Sequence, residues 1–154
     1  MSVEDNTRII RRFIEELWNN RNLSVADEIF APECLTHQLR SGADITSEPR
    51  DPETLKKHVS EWVVAFPDLH FTLEQTIADG DRVASQITMR GTQEGVWMGF
   101  PPSGREVSIR MMTIHRIAAG KIVEDWVLVD SLGLFQQLDL VPQREEIFAK
   151  ASGE

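Results

Sequence analysis

The sequence has no tyrosine and a single cysteine, Cys34, among its 154 residues. One thiol cannot close an internal disulfide, so stability must come from packing. Cys34 reads as a small hydrophobe rather than a reactive thiol. CxxC and HExxH spacings are missing, and the four histidines (His37, His58, His70 and His115) are scattered. That pattern argues against a zinc site, and no metal is expected. The longest unbroken apolar run is five residues, Trp62 to Phe66. A spanning helix needs about 20, so no membrane association through a helix is expected. The first residues carry acids and no long apolar core, unlike a secretory signal, and a cytoplasmic location is expected. No basic run is visible and the formal net charge is −9, which disfavours binding to a nucleic-acid backbone. Glycine-rich phosphate loops and serine-nucleophile elbows are also missing.

What is present suits one domain over residues 1–154, with a core at about 3–140 and an unassigned tail after Pro142. Apolar residues Ile9, Ile10, Phe13, Ile14, Leu17 and Trp18 fall at helical spacing within Val3–Asn20. Ser2 and Asp5 have the spacing of a capping box. A second short helix is expected over Ser24–Phe30, limited by Pro32. Cys34–Leu39 reads as a short strand and Arg40–Arg50 as a polar loop. Asp51 and Pro52 then open a third helix, with Leu55, Val59, Trp62, Val63 and Phe66 on its buried face and Pro67 as its stop.

From Leu69 the apolar period changes to two. Four strands are expected: Leu69–Ala78, Arg82–Gly91, Arg105–Ile117 and Lys121–Asp130. A short helix fits Leu132–Leu138. For the first hairpin, a three-residue loop sets Ile77 opposite Val83, Leu73 opposite Ile87 and Phe71 opposite Met89. That register keeps the apolar residues on one face. For the second, the same loop pairs Ile117 with Val123, His115 with Asp125, Thr113 with Val127 and Met111 with Val129. On its other face, Arg116 meets Glu124 and Arg110 meets Asp130, two pairs of opposite charge. The fold class is α+β: a curved antiparallel sheet packed on N-terminal helices around a core or an apolar pocket.

Two stretches carry a family resemblance. One is Gly95-Val96-Trp97-Met98-Gly99-Phe100-Pro101-Pro102-Ser103-Gly104-Arg105. The other, Arg116 to Leu138, contains Gly120-Lys121-Ile122-Val123-Glu124, Trp126, Asp130 and Gly133-Leu134-Phe135-Gln136-Gln137-Leu138. With them the chain resembles SnoaL-like polyketide cyclases, within the cone-shaped superfamily of nuclear transport factor two. The resemblance implies a cofactor-free enzyme that closes a ring in a polyketide ester by intramolecular aldol condensation. It implies an apolar pocket, an acid/base aspartate on the last strand, and a homodimer. Aligned through Arg116-Ile117 and Gly120-Lys121-Ile122, the position resembling that aspartate holds Val127, and the neighbouring pocket histidine position holds Thr113. Related enzymes of this fold (ketosteroid isomerases, scytalone dehydratases, limonene epoxide hydrolases) resemble one another in using pocket tyrosines. A chain without tyrosine cannot copy them.

Valine transfers no proton. The next carboxylate on that face is Asp125, about 6.6 Å along the strand, too far to serve the same substrate pose. Asp125 lies opposite His115, and the two can form an acid/base pair in which Asp125 orients the imidazole. They can also be a structural cross-strand pair near a solvated hairpin end. Asp130 and His37 are alternative catalytic residues; Asp130 also suits a helix cap, and His37 a structural hydrogen bond. Thr36, His37, Trp62, Phe66, Phe71, Met89, Trp97, Met111, Thr113 and Val127 are expected to line the pocket. The expected ligand is a hydrophobic small molecule. The expected function is cofactor-free acid/base chemistry on a polyketide-type carbonyl compound. The alternative is a binding or assembly module that kept the fold without the chemistry. Met112, Ile114, Trp126 and Leu128 form a second apolar face, which a homodimer would cover.

Overall fold

A computed structural model describes residues 1–39 and 46–153. The first helix opens as expected: Ser2 and Asp5 form a reciprocal capping box at its N-terminus. Its α-helical part, α1, spans Val3–Arg12 and continues as a π-helix over Phe13–Asn19. One continuous apolar stripe thus runs through two helical geometries. Both halves pack on the sheet, α1 against β3 and β4 and the π-helix against β3. A short α2 (Val25–Ile29) follows. Ser24 does not cap it, because its hydroxyl donates to Asn22 Oδ1 instead. Asp51 caps α3 (Pro52–Ala65), its carboxylate accepting from the Thr54 backbone N–H at 2.7 Å.

Among the described residues, six strands form one curved, unclosed sheet. They are β1 (Phe30–Gln38), β2 (Thr46–Arg50), β3 (His70–Asp79), β4 (Arg82–Thr92), β5 (Glu106–Ala118) and β6 (Lys121–Val129), in the spatial order β2-β1-β6-β5-β4-β3. The sheet is mixed rather than wholly antiparallel, because β1 runs parallel to β6. The expected loop Arg40–Arg50 also needs correction. Thr46–Arg50 is an edge strand on β1; positions 40–45 lie outside the described residues. Its sequence, Thr-Ser-Glu-Pro-Arg, has no apolar alternation to announce a strand. Only an edge position tolerates Pro49. The helix α4 (Ser131–Gln137) follows β6, and α5 (Arg144–Ala151) lies in the tail.

The hairpin registers hold away from the turns and slip near them. Phe71 faces Met89 and Leu73 faces Ile87, as expected. A bulge at Glu74 then moves Ile77 opposite Ala84, not Val83, and leaves Ile77 exposed. In the second hairpin Met111–Val129, Thr113–Val127, His115–Asp125 and Arg116–Glu124 pair as expected. Ile117 meets Ile122 rather than Val123, because Val123 is the extra residue of a bulge. Each bulge inserts one residue and changes which side chains face inward.

The core lies between the concave sheet face and the helices. It includes Ile10, Ile14, Leu17, Ile29, Leu55, Val59, Ile87, Ile109 and Ile122. The free edge of β3 is held by Asn19, whose side chain donates to the Phe71 carbonyl and accepts its N–H, both at 2.8 Å. Among the described residues no helix is long and apolar enough to cross a membrane. The loop after β4 is tied to the end of α3: Glu94 and Gly95 N–H both donate to the Ala65 carbonyl. A Cβ on Gly95 would overlap the Val64 carbonyl. Gly95→Ala should therefore destabilise by about 1–3 kcal/mol through overpacking, read as a lower midpoint in urea unfolding.

Candidate functional site

Alternation along β5 and β6 sends Thr113, His115, Asp125 and Val127 to the concave face. β1 adds Thr36, paired with Asp125, and β4 adds Ser85, paired with Thr113. This makes a polar band within an otherwise apolar floor. Thr36, Ser85, Thr113, His115 and Asp125 are all at most 5% exposed. Burial normally comes with hydrogen bonding, yet Thr36 Oγ1, Ser85 Oγ and Asp125 Oδ1 have no partner among the described residues.

His115 and Asp125 are cross-strand neighbours, but their relation differs from a bonded acid/base dyad. The contacts of His115 run to the Phe13 ring, at 5.3 Å between centroids, and toward Thr113 Oγ1, 3.5 Å from Nδ1. The latter is too long for a strong hydrogen bond. Asp125 instead belongs electrostatically to β1 and β2. Burial pushes it up to about 6, against the pull of the Arg50 charge, the Thr36 hydroxyl and His37. The Thr36 hydroxyl is near enough to favour the carboxylate but is not aligned as a hydrogen bond. Burial alone drives His115 down to about 4. Cys34 on the same face is pushed up to about 12 by burial and by Asp125, and is inert as a thiolate.

His37 lies on the opposite, convex face. Its ring stacks on Trp126, 5.0 Å between centroids, and Nε2 lies 2.9 Å from Glu124 Oε1. Ser47 Oγ is 2.7 Å from His37 Nδ1, and Arg116 Nε donates to Glu124 Oε2 at 2.9 Å. The His37 hydrogen bond, with help from Arg116, holds the Glu124 carboxyl below its ordinary value. Asp130 is exposed and caps α4, accepting from Gly133 N–H at 2.9 Å. Neither His37 nor Asp130 is therefore beside Asp125 on the concave face.

The expected apolar lining divides into clusters. Trp62 stacks on Phe66 and meets Trp97, and Trp97 reaches Phe135 of α4, with centroid separations of 5.6–5.9 Å. Phe71 packs edge-on against Trp18 at 4.8 Å, and Met89 is fully buried. Met111 and Val127 are half-buried on the concave face. A cleft of about 230 Å³ lies elsewhere, lined by Met1, Asn6, Gly80, Asp81, Ile117 and Ala119. Sequence reasoning passed over Ser85, Phe13 and Arg50. Ser85 had a signal: it is the one polar residue in the inward row Val83-Ser85-Ile87-Met89. Arg50 had none, because Thr46–Arg50 carries no apolar alternation to mark it as a strand.

A model of the SnoaL-like polyketide cyclase family matches residues 8–138. The chain belongs to that family. Solved structures agree with this SnoaL-like assignment. AclR from Streptomyces galilaeus, proposed to be a hydroxylase, is 26% identical with a TM-score of 0.80, over 99% of this chain and 92% of that one. IdmH from Streptomyces antibioticus, proposed to be a polyketide cyclase, is 29% identical with a TM-score of 0.75, over 87% and 98%. A proposed polyketide cyclase from Acidithiobacillus ferrooxidans is 26% identical with a TM-score of 0.75, over 92% and 100%. A comparison with curated proteins gives no match.

In this SnoaL-like chain the two buried titratable groups oppose each other in pH dependence. Folded Asp125 binds its proton more tightly than the unfolded chain does, so its term lowers stability as pH rises from about 3.9 to about 6. Folded His115 binds its proton less tightly, so its term is fully favourable above about 6.5 and is lost as pH falls toward about 4. Each shift is worth about 3 kcal/mol. Relative to the parent, Asp125→Asn should gain stability as pH rises from 4 to 6, and His115→Gln should lose it. Denaturant unfolding across that range measures both, and parallel curves for the two variants would contradict this account.

Proposed function

We propose that the concave face binds a hydrophobic polyketide-type carbonyl compound and that Asp125 moves a proton on it without a cofactor. The observation that carries this reading is the buried Asp125 carboxylate with an unpartnered oxygen on that face. A carboxyl poised near 6 changes protonation close to neutral pH, which suits general acid/base work. As a base, Asp125 takes a proton from carbon beside the carbonyl, and the resulting enolate attacks a second carbonyl of the folded chain. The proton then returns to the new alkoxide. His115, held neutral, supplies a hydrogen bond rather than a charge. The apolar walls contribute by holding a flexible substrate in one pose.

Val127 favours a second reading: a binding or assembly module that keeps the fold and performs no chemistry. The two readings separate on a panel of polyketide-type esters and ketones, with products followed by mass spectrometry. Asp125→Asn should cost at least about 100-fold in turnover, and the parent rate should rise with pH through about 6. Full activity in Asp125→Asn would sink the catalytic reading. Saturable binding with no product from any compound would favour the module.

The convex face supports a homodimer. Met112, Ile114 and Leu128 are 53%, 41% and 49% exposed there, with Met112 paired to Leu128 and Ile114 to Trp126, an apolar surface that a second copy would cover. Light scattering should give a dimeric mass for the parent and a monomeric one for Leu128→Asp. An unchanged dimer in that variant would move the interface elsewhere.

A further inference from the structure

The three orphaned oxygens of the concave face do not sit together. Thr36 Oγ1 and Asp125 Oδ1 belong to neighbouring residues on β1 and β6. Ser85 Oγ belongs to β4, two strands beyond β6, in the row of Thr113 and Val127 rather than that of His115 and Asp125. Two strand spacings across and two residues along put Ser85 about 10–12 Å from Asp125. Between these points the inward positions are His115, whose outer side is covered by Phe13, and Thr113. Beyond Ser85 the floor turns apolar, through Ile87, Met111 and Val129. Met111 and Val129, in that row, are half-buried rather than buried.

An interior hydroxyl without a partner is a cost that folding alone does not repay. Alanine at 85 or valine at 36 would fill the same space without it. The Ser85 hydroxyl is therefore explained by something that arrives later and hydrogen-bonds to it, and the Thr36 hydroxyl, beside the Asp125 carboxylate it favours, is placed to meet the same arrival. From this we infer that the concave face recognises its ligand at two separate points, Thr36 with Asp125 at one and Ser85 at the other. The ligand is an elongated apolar molecule with a hydroxyl or carbonyl oxygen near each end. This rests on the reading of the concave face as the ligand site, and it adds the spacing of the polar groups the ligand must carry. A hydroxyl both donates and accepts, so Ser85 and Thr36 can meet either oxygen type. Ligands with one terminal oxygen leave one point unsatisfied and bind more weakly.

The test uses biphenyl carrying a hydroxyl at both far ends, with its monohydroxy and unsubstituted analogues, titrated calorimetrically into the full chain. The dihydroxy compound should bind roughly tenfold more tightly than the monohydroxy one. In Ser85→Ala that advantage should fall to within about twofold. Thr36→Val should weaken both hydroxylated compounds. Ser85→Ala should keep or raise the parent melting temperature, because it removes a hydroxyl that lacks a partner in the fold. An advantage that survives both substitutions overturns the inference, as does failure of all three compounds to bind. A lowered melting temperature in Ser85→Ala with an unchanged affinity ratio assigns the hydroxyl to the fold and overturns it as well. Retained two-point selectivity without turnover of any carbonyl compound would remove the catalytic reading alone. Loss of selectivity with turnover still dependent on Asp125 would remove this inference alone.

Discussion

The pairing of β5 with β6 sends His115 and Asp125 inward and Ile114, Trp126 and Glu124 outward. A slip of one residue would exchange the two sets. The buried acid would then meet solvent, and the indole of Trp126 would enter the core. Two features hold the register: the Arg116–Glu124 pair on the convex face, and the bulge at Val123 beside the turn. Arg116 and Glu124 are partly exposed, so their ion pair contributes at most about 1 kcal/mol. Its larger effect is on specificity, since a slipped register would leave Glu124 without its partner or place it beside apolar side chains. The convex network of His37, Ser47 and Trp126 depends on the same alignment, because Glu124 accepts from both Arg116 and His37.

The inward polar band costs stability in a way the surrounding core can absorb. Burial disfavours the charged form of Asp125 and of His115, and each resolves the conflict by moving its proton affinity in the opposite direction. Near neutral pH the imidazole is uncharged, and its burial costs little. The carboxylate is the expensive member. Arg50 offsets part of that cost from the edge strand, which makes β2 more than a cover for β1. Edge strands of low apolar content contribute little to a core. This one contributes a charge.

Much of the arrangement was legible in the residues. The period-two rows of β5 and β6 and the glycine at their turn were enough to set His115 opposite Asp125 and Thr113 opposite Val127. Helix starts at Ser2 and Asp51 followed from side chains that can satisfy free N–H groups. What stayed hidden shares one cause. The parallel pairing of β1 with β6 and the strand at Thr46–Arg50 are long-range choices with little local signature. Without them the surroundings of Asp125 could not be read, since Thr36, Cys34 and Arg50 all reach it through β1 and β2. His37 shows the same limit. Its neighbour Thr36 turns inward, so a strand expected over Cys34–Leu39, which overlaps the observed Phe30–Gln38 but starts four residues late, still left the facing of His37 to the sheet.

The family match and the site chemistry therefore rest on different foundations. The fold is carried by patterns spread over most of the chain. Proton transfer depends on one group at one distance. With valine at position 127, a carboxylate at 125 can act only on a substrate displaced by about 6.6 Å along β6, toward the Phe13 end of the floor. Such a shift moves the whole ligand relative to the walls, so the positions of the remaining polar groups must change with it. Thr36 beside Asp125 and Ser85 farther along the floor are where a displaced ligand would meet hydrogen-bonding groups. For a ligand so displaced, Thr36 lies beside the acid, whereas Ser85 stays in the row of Val127 and meets only the ligand's far end.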